Sequence, residues 1–435
     1  MNGAGIPRNL PLFIAYRVFF HARFYYPVIG VLFIDLGITL EQYALLNLVW
    51  AVAILLIEIP SGALADAIGR RAMVVLSAGL MVCEMALLAL APTGNPTLLF
   101  VFLLLNRIVS GVAEACGSGA DEALAYDSLP ETDRDAAWAR VLESLMRWKS
   151  AAFLAAMLVG AALFDRDLHV RVAEFFGRTG DWPVTTRWPV LATLATSLAC
   201  LAAACLMREP GRDGGRASAA SVRELWANVA RGARHVFTVR RVAALLLVAL
   251  LLDSFIRLFL TFASNYYRLI ELPAFSNGIL GAGLALLGFV VAPAAKRMVA
   301  GRSAGSNFGW LVALVAAGLG GLAFAVPVWG VWVLLPLGLA MSGLQFFTSF
   351  YLNRWTTPDV RATVLSFRGV AFNLGYGAAG LAFAILTDRV RAGNPGWDEN
   401  QIFGSTLVWL LPAFLAALLA ALPILARGGK PDRPS

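Results

Sequence analysis

Arg107, Glu114 and Asp121 recur at steps of seven in one apolar run. At 3.6 residues per turn each step rotates the side chain by only about 20°, so all three are expected on one helical face. A lone charge inside a bilayer costs roughly 2.5–3.5 kcal/mol on insertion scales unless it pairs or protonates. Charges kept in such a place therefore read as ion pairs or proton sites. Asp253 and Arg257 stand one turn apart in a second run, able to face a common cavity or to neutralise each other. Arg17 and His21 are spaced alike in a third, with Arg23 close behind, and Gln345, Thr348, Ser349 and Asn353 give a fourth run an uncharged polar stripe. Glu58 lies about two turns inside its own run, and is either a proton site or the partner of a basic residue nearby.

The elements that must hold these groups are membrane spans. Of the 435 residues, 59% are hydrophobic and 14% charged, and runs of about twenty apolar residues, long enough to cross a hydrocarbon core of about 30 Å, recur along the chain. Twelve helices are expected, near residues 10–34, 41–65, 70–91, 97–121, 144–164, 189–207, 242–264, 275–295, 307–326, 331–352, 363–387 and 402–426. The first is too long for a signal-peptide core and lacks a small-residue cleavage site. With the amino terminus inside, about 22 of the Lys and Arg residues fall in inside segments and about 7 in outside loops, which places both termini in the cytoplasm. The same topology explains the net charge of +8 without nucleic acid. Residues 208–241 carry eight arginines and read as a central linker between two halves of six spans. Ser221 with Glu224 forms a capping box, and Val222, Leu225, Trp226, Val229, Ala233, Val236 and Phe237 then recur at helical spacing opposite Arg223, Arg231 and Arg234. That predicts a helix on the membrane surface, either a coupler of the halves or a lipid-anchored spacer. Val170 to Phe176 is a second amphipathic piece of the same kind.

Metal and thiol chemistry find no support. Cys83, Cys116, Cys200 and Cys205 lie in apolar runs as small buried hydrophobes, and His21, His169 and His235 stand at no metal-binding spacing. No cofactor is expected, and no serine–histidine or paired-aspartate motif suggests an enzyme.

One loop is more specific. Gly62-Ala-Leu-Ala-Asp66-Ala-Ile-Gly69-Arg70-Arg71 places a small residue for close helix approach at Gly62, a tight turn at Gly69, and at Asp66 a carboxylate able to cap the next helix, with Arg70 and Arg71 expected in the headgroup layer. It resembles the signature between helices 2 and 3 of the major facilitator superfamily in every position. Glu58-Ile-Pro60 just before it, Asn106-Arg107 with Gly111, Gly117 to Leu129, and Thr357-Pro358-Asp359 ahead of the eleventh span are similar to other segments of that family. A faint repeat, Gly288 with Lys296 and Arg297, echoes Gly62 with Arg70 and Arg71 at offsets of eight and nine, with Ala292 in place of Asp66. The glycine–proline pattern of antiporters is represented in the fifth span by Gly160 alone.

The resemblance implies an all-α polytopic fold of twelve transmembrane helices in two six-helix bundles, residues 1–207 and 242–435, joined by the basic linker 208–241. It implies a secondary transporter working by alternating access in a bacterial-type inner membrane, as a monomer, with a small-molecule substrate, the lipid bilayer and protons as partners. Spans 1, 4, 7 and 10 would line the pathway, making Arg17, His21, Arg107, Glu114, Asp253, Arg257 and Gln345 its residues, while Glu58, Gly62, Asp66, Gly69, Arg70 and Arg71 form the inner gate. In that family Asp66 would also reach toward span 11, where Gly375, Gly377 and Gly380 offer a smooth surface. Arg107 would influence proton coupling, or else only neutralise a buried carboxylate. Asp253, Glu114 and Glu58, in that order, are the candidate proton carriers. Export of amphiphilic compounds fits the aromatic residues, among them Phe13, Phe20, Tyr25, Tyr26, Phe255, Phe259, Phe346 and Phe347, and uptake of an anionic or zwitterionic metabolite fits the arginines. Prevalence in the family favours export, and a non-transporting receptor is the third reading.

Overall fold

The apolar runs fold as helices, and the computed structural model describes residues 8–118, 120–129, 134–176, 185–209, 227, 230, 234, 236, 238–356 and 358–428. Among the described residues no strand occurs. The capping box Ser221 and Glu224 and most of the expected linker helix lie outside them, as do Thr357 and the side chains of Gly62, Asp66, Ala292, Asn353, Pro358 and Asp359. Among the described residues, eleven segments are long and apolar enough to cross a membrane, and Ser276–Gly288 with Pro293–Gly301 passes the same test as a pair bent by 41°. Pro293 lacks the amide that would continue the hydrogen-bond ladder there. The chain is a multi-pass membrane protein.

Its α-helices are α1 (Asn9–His21), α2 (Ile29–Leu36), α3 (Leu40–Ile68), α4 (Arg70–Ala89), α5 (Pro96–Gly117), α6 (Ala120–Asp127), α7 (Arg134–Phe164), α8 (Arg166–Phe175), α9 (Trp188–Leu206), α10 (Arg240–Thr261), α11 (Ala263–Leu269), α12 (Ser276–Gly301), α13 (Ala304–Leu322), α14 (Leu334–Trp355), α15 (Pro358–Gly393), α16 (Glu399–Leu407) and α17 (Leu410–Gly428). Besides the bent pair, the first, fourth and twelfth expected spans are broken. The first stops at His21, where Ala22 leaves helical geometry while its amide still donates to the Val18 carbonyl, and resumes through the 3-10 turn Tyr26–Val28, which Pro27 suits because a helix start needs no amide there. The fourth stops at Gly117, where Ser118 is extended, and resumes at Ala120. Asp121 therefore lies on α6, past a break in the helix that carries Arg107 and Glu114. The twelfth is parted at Val408 and Trp409 into α16 and α17.

The described chain forms two compact units. The first comprises Met1–Ile38, Val52–Arg223 and Ala274–Ala282, and the second Thr39–Ala51, Glu224–Pro273 and Gly283–Ser435. In the first, Phe13, Tyr16, Met73, Met81 and Cys200 share a core made by α1, α4 and α9. Gly160 admits the backbone of Phe24 so closely that a Cβ would stand 1.8 Å from its carbonyl oxygen. In the second, Phe262 meets Tyr43, Phe383 and Phe403, and Phe414 meets Phe255.

Candidate functional site

In the first unit the break after α1 turns Arg23 inward. Its Nη1 donates to both oxygens of Glu84, at 2.8 and 3.0 Å, and the Tyr25 hydroxyl donates to the same carboxylate at 3.1 Å. Glu84 is 0% exposed and Arg23 3%. Burying two such charges is tolerable only because each satisfies the other and the remaining lone pairs find donors. Arg107 joins this cluster from α5. Its Nη2 lies 3.9 Å from Glu84, and its Nε donates to Asn106, whose amide in turn donates to the Glu84 backbone carbonyl. Glu114, one face of α5 further along, keeps 40% of its side chain exposed with an oxygen 4.0 Å from Arg23 Nη2.

One turn earlier on α1, Arg17 pairs with Asp121, the second residue of α6, and donates to Glu122 at 2.9 Å. Asp121 is 1% exposed. Its oxygen also accepts the Glu122 amide, which holds it at the helix start. His21 Nε2 is buried without a hydrogen-bond partner among the described residues. The ring stands edge-on to Phe20.

The loop between α3 and α4 is held from the end of α9 and from α6. Gly69 adopts φ 102°, a backbone that side chains other than glycine rarely take. This turn presents the first amides of α4 to Glu209, whose carboxylate accepts from Arg70 N at 3.1 Å and Arg71 N at 2.8 Å. The side chain of Asp66, which the sequence offered as a cap for this helix, lies outside the described residues. Arg70 pairs with Asp127 and the Ala123 carbonyl, and Arg71 donates to the carbonyls of Met207 and Cys205 at 2.7 and 2.9 Å. Acid thus meets the amino-terminal end of one helix and base the carboxy-terminal end of another, each opposing the local dipole. Nearby, the Ser61 hydroxyl bridges the carbonyls of Glu58 and Ala115, setting the turn of Glu58 beside that of Glu114. Glu58 itself is exposed and makes no ion pair among the described residues.

In the second unit Arg257 grips Asp253 through Nε at 2.7 Å and Nη2 at 2.6 Å. It also donates to Phe372 O at 2.7 Å and Asn373 Oδ1 at 3.2 Å, and lies 4.9 Å above the Tyr376 ring. Gln345 is exposed on α14. Gly375 is closed against Ser254 and Leu250 of α10, and Gly377 against Leu48 of α3. Arg391 holds Glu41 through two bonds, at 2.8 and 3.1 Å, and Glu399 at 2.9 Å. Among the described residues no cluster of His, Cys, Asp and Glu could hold a metal ion.

The sequence profile described as Major Facilitator Superfamily matches residues 12–379. The chain belongs to this superfamily. A search of curated protein sequences gives no match. Among solved structures, the nucleoside transporter NupG superposes with a TM-score of 0.68 at 13% identity, covering 96% of this chain and 98% of that one. A bacterial homolog of the human lysosomal transporter Spinster, in an inward-facing and occupied conformation, gives 0.67 at 16% identity over 97% and 96%. A D-xylose-proton symporter gives 0.55 at 16% identity over 95% of each chain. At these identities the likeness is one of fold.

As a superfamily member the chain is a transporter of small molecules and not an enzyme. Its buried charge is arranged in pairs. Arg23 with Glu84, Arg17 with Asp121 and Arg257 with Asp253 all join a cation to a carboxylate that is at most 7% exposed as a residue. Glu84, Glu209, Asn373 and Tyr376 were not singled out by sequence reasoning as site residues. Glu84 had a signal, a carboxylate in the middle of an apolar run; the other three had none.

Proposed function

We propose that this major facilitator protein is a proton-coupled secondary transporter that exports amphiphilic compounds or metabolites by alternating access of two six-helix halves, residues 1–207 and 242–435, joined by the linker 208–241. The observation that carries the reading is the pairing of buried arginines with carboxylates that a proton can neutralise. Protonating Asp253 releases Arg257, and protonating Glu114 weakens its attraction to Arg23, so each supplies the difference between states that coupling requires. Glu58 is the third candidate, beside Glu114. The arginine excess that favoured uptake of anions is largely neutralised within each unit, whereas Glu58 and Glu114 remain open to a proton or a cationic group. The aromatic support for amphiphiles is narrower than the sequence suggested, because Phe13, Phe20, Tyr25, Phe259 and Phe347 are buried in helix packing, leaving Tyr26 exposed and Phe255 and Phe346 half-buried. Uptake of an anionic or zwitterionic metabolite stands as the second reading, favoured by the partly exposed Arg17 and Arg257 side chains, at 19% and 25%. The excess of basic residues in alternate loops supports a bacterial-type inner membrane with both termini cytoplasmic.

The test is purified protein in proteoliposomes loaded with a pH dye and challenged with cationic, neutral and anionic compounds. Proton movement driven by cationic or neutral amphiphiles supports export. Movement driven only by anions or zwitterions replaces it with the second reading, and counterflow without proton movement refutes coupling.

A further inference from the structure

A groove of about 570 Å³ separates α7 from α8 in the first unit, within the size range of small-ligand pockets. Val159, Ala162 and Leu163 form its α7 wall, and Leu168, Val172 and Phe176 much of its α8 wall. The polar side chain in the lining, His169, turns Nε2 to the Ala162 carbonyl 3.0 Å away, so the groove is apolar to whatever enters it. Asp165 fixes α8 in place. Its buried carboxylate caps α8 by accepting Leu168 N at 2.9 Å and accepts Phe275 N at 2.8 Å with the other oxygen.

The surroundings say what fills the groove. On one side α7 packs inward through Gly160 against the Phe24 backbone. On the other, Leu154, Leu158 and Val159 are exposed, and only 28% of the most apolar window of this spanning helix is buried in the protein. The medium beside a spanning helix is hydrocarbon, and the groove is continuous with that surface. At its α8 end Val172, Phe175 and Phe176 are 49%, 85% and 72% exposed, with the two rings edge to face. Arg166, Asp167, Arg171 and Glu174 supply an exposed polar side with balanced charge, the pattern of a helix lying in the membrane interface. Balanced charge gives a charged protein partner nothing to select, whereas an acyl chain needs only the apolar walls.

We propose that this groove holds one acyl chain of a membrane phospholipid, clamped between α7 and the interfacial helix α8. The chain would complete the lipid-facing surface of the first unit at a place where α8 stands off from α7. The site is separate from the charged clusters and does not depend on what the transporter carries.

Benzoylphenylalanine incorporated in place of Val172, irradiated in proteoliposomes of phosphatidylethanolamine and phosphatidylglycerol, tests the assignment by intact-protein mass. A phospholipid adduct is expected. Ala162→Phe, which fills the groove, should lower its yield about tenfold, the change that roughly 1.4 kcal/mol of lost binding produces. Val159→Phe serves the same purpose from the rim if Ala162→Phe lowers the folded yield. An adduct confined to the protein's own chain, no adduct, or a phospholipid adduct whose yield both filling variants leave unchanged overturns the proposal.

Discussion

Glu84 shows how much a single buried side chain carries. It receives Arg23, Tyr25 and the approach of Arg107 while itself fully enclosed, so removing its charge strands at least one guanidinium away from water. Breaking a buried pair from one side costs about 3–5 kcal/mol, whereas replacing both partners by apolar groups is often neutral. Glu84→Ala is therefore expected to destabilise the protein by about that amount, and Arg23→Met combined with Glu84→Met to recover much of it. Thermal unfolding in detergent checks both. Equal destabilisation by the single and double variants would mean that packing, not charge, holds this cluster. Arg17 and Asp121 form a second pair of this kind, less deeply buried on the arginine side.

At the scale of elements, the loop between α3 and α4 is held by a reciprocal exchange between helix ends. Losing a helix cap costs roughly 0.5–2 kcal/mol, so Glu209→Ala should destabilise by that amount and speed hydrogen exchange at Arg70 and Arg71, with Glu209→Asp restoring part of the protection. Gly69→Ala should cost about 1–2 kcal/mol from its left-handed backbone alone, and its Cβ would stand 3.3 Å from the Glu209 carboxylate. Thermal melting of the two variants measures both effects. The family, the all-helical fold and the spans were legible in the sequence because apolar length and a contiguous motif are local signals. The breaks after His21 and at Gly117–Ser118 were not, since hydropathy averages across them. Nor was Glu209 as the cap of α4, because it stands 139 residues from Arg70 and only the fold brings them together. The partners of Arg107 and Asp121 were not legible for the same reason: Asp121 meets Arg17, 104 residues away, and Arg107 lies beside Glu84.

For the whole molecule, the proposed proton coupling requires that a proton and a substrate alter the same equilibrium. The proposed carriers occupy different settings: Asp253 is 7% exposed and gripped by Arg257, while Glu114 keeps 40% of its side chain open at the edge of the Arg23 cluster. Asp253→Asn removes a titrating group yet leaves a side chain able to accept from Arg257, so folding should survive where coupling does not. The most direct measurement is compound-driven proton flux in proteoliposomes, compared between the native protein, Asp253→Asn, Glu114→Gln and the double variant, each with counterflow as the control for folding. Proton flux abolished in the double variant and reduced in at least one single variant, with counterflow retained, is the expected result. Undiminished proton flux in the double variant would contradict the assignment of either carboxylate as the proton carrier.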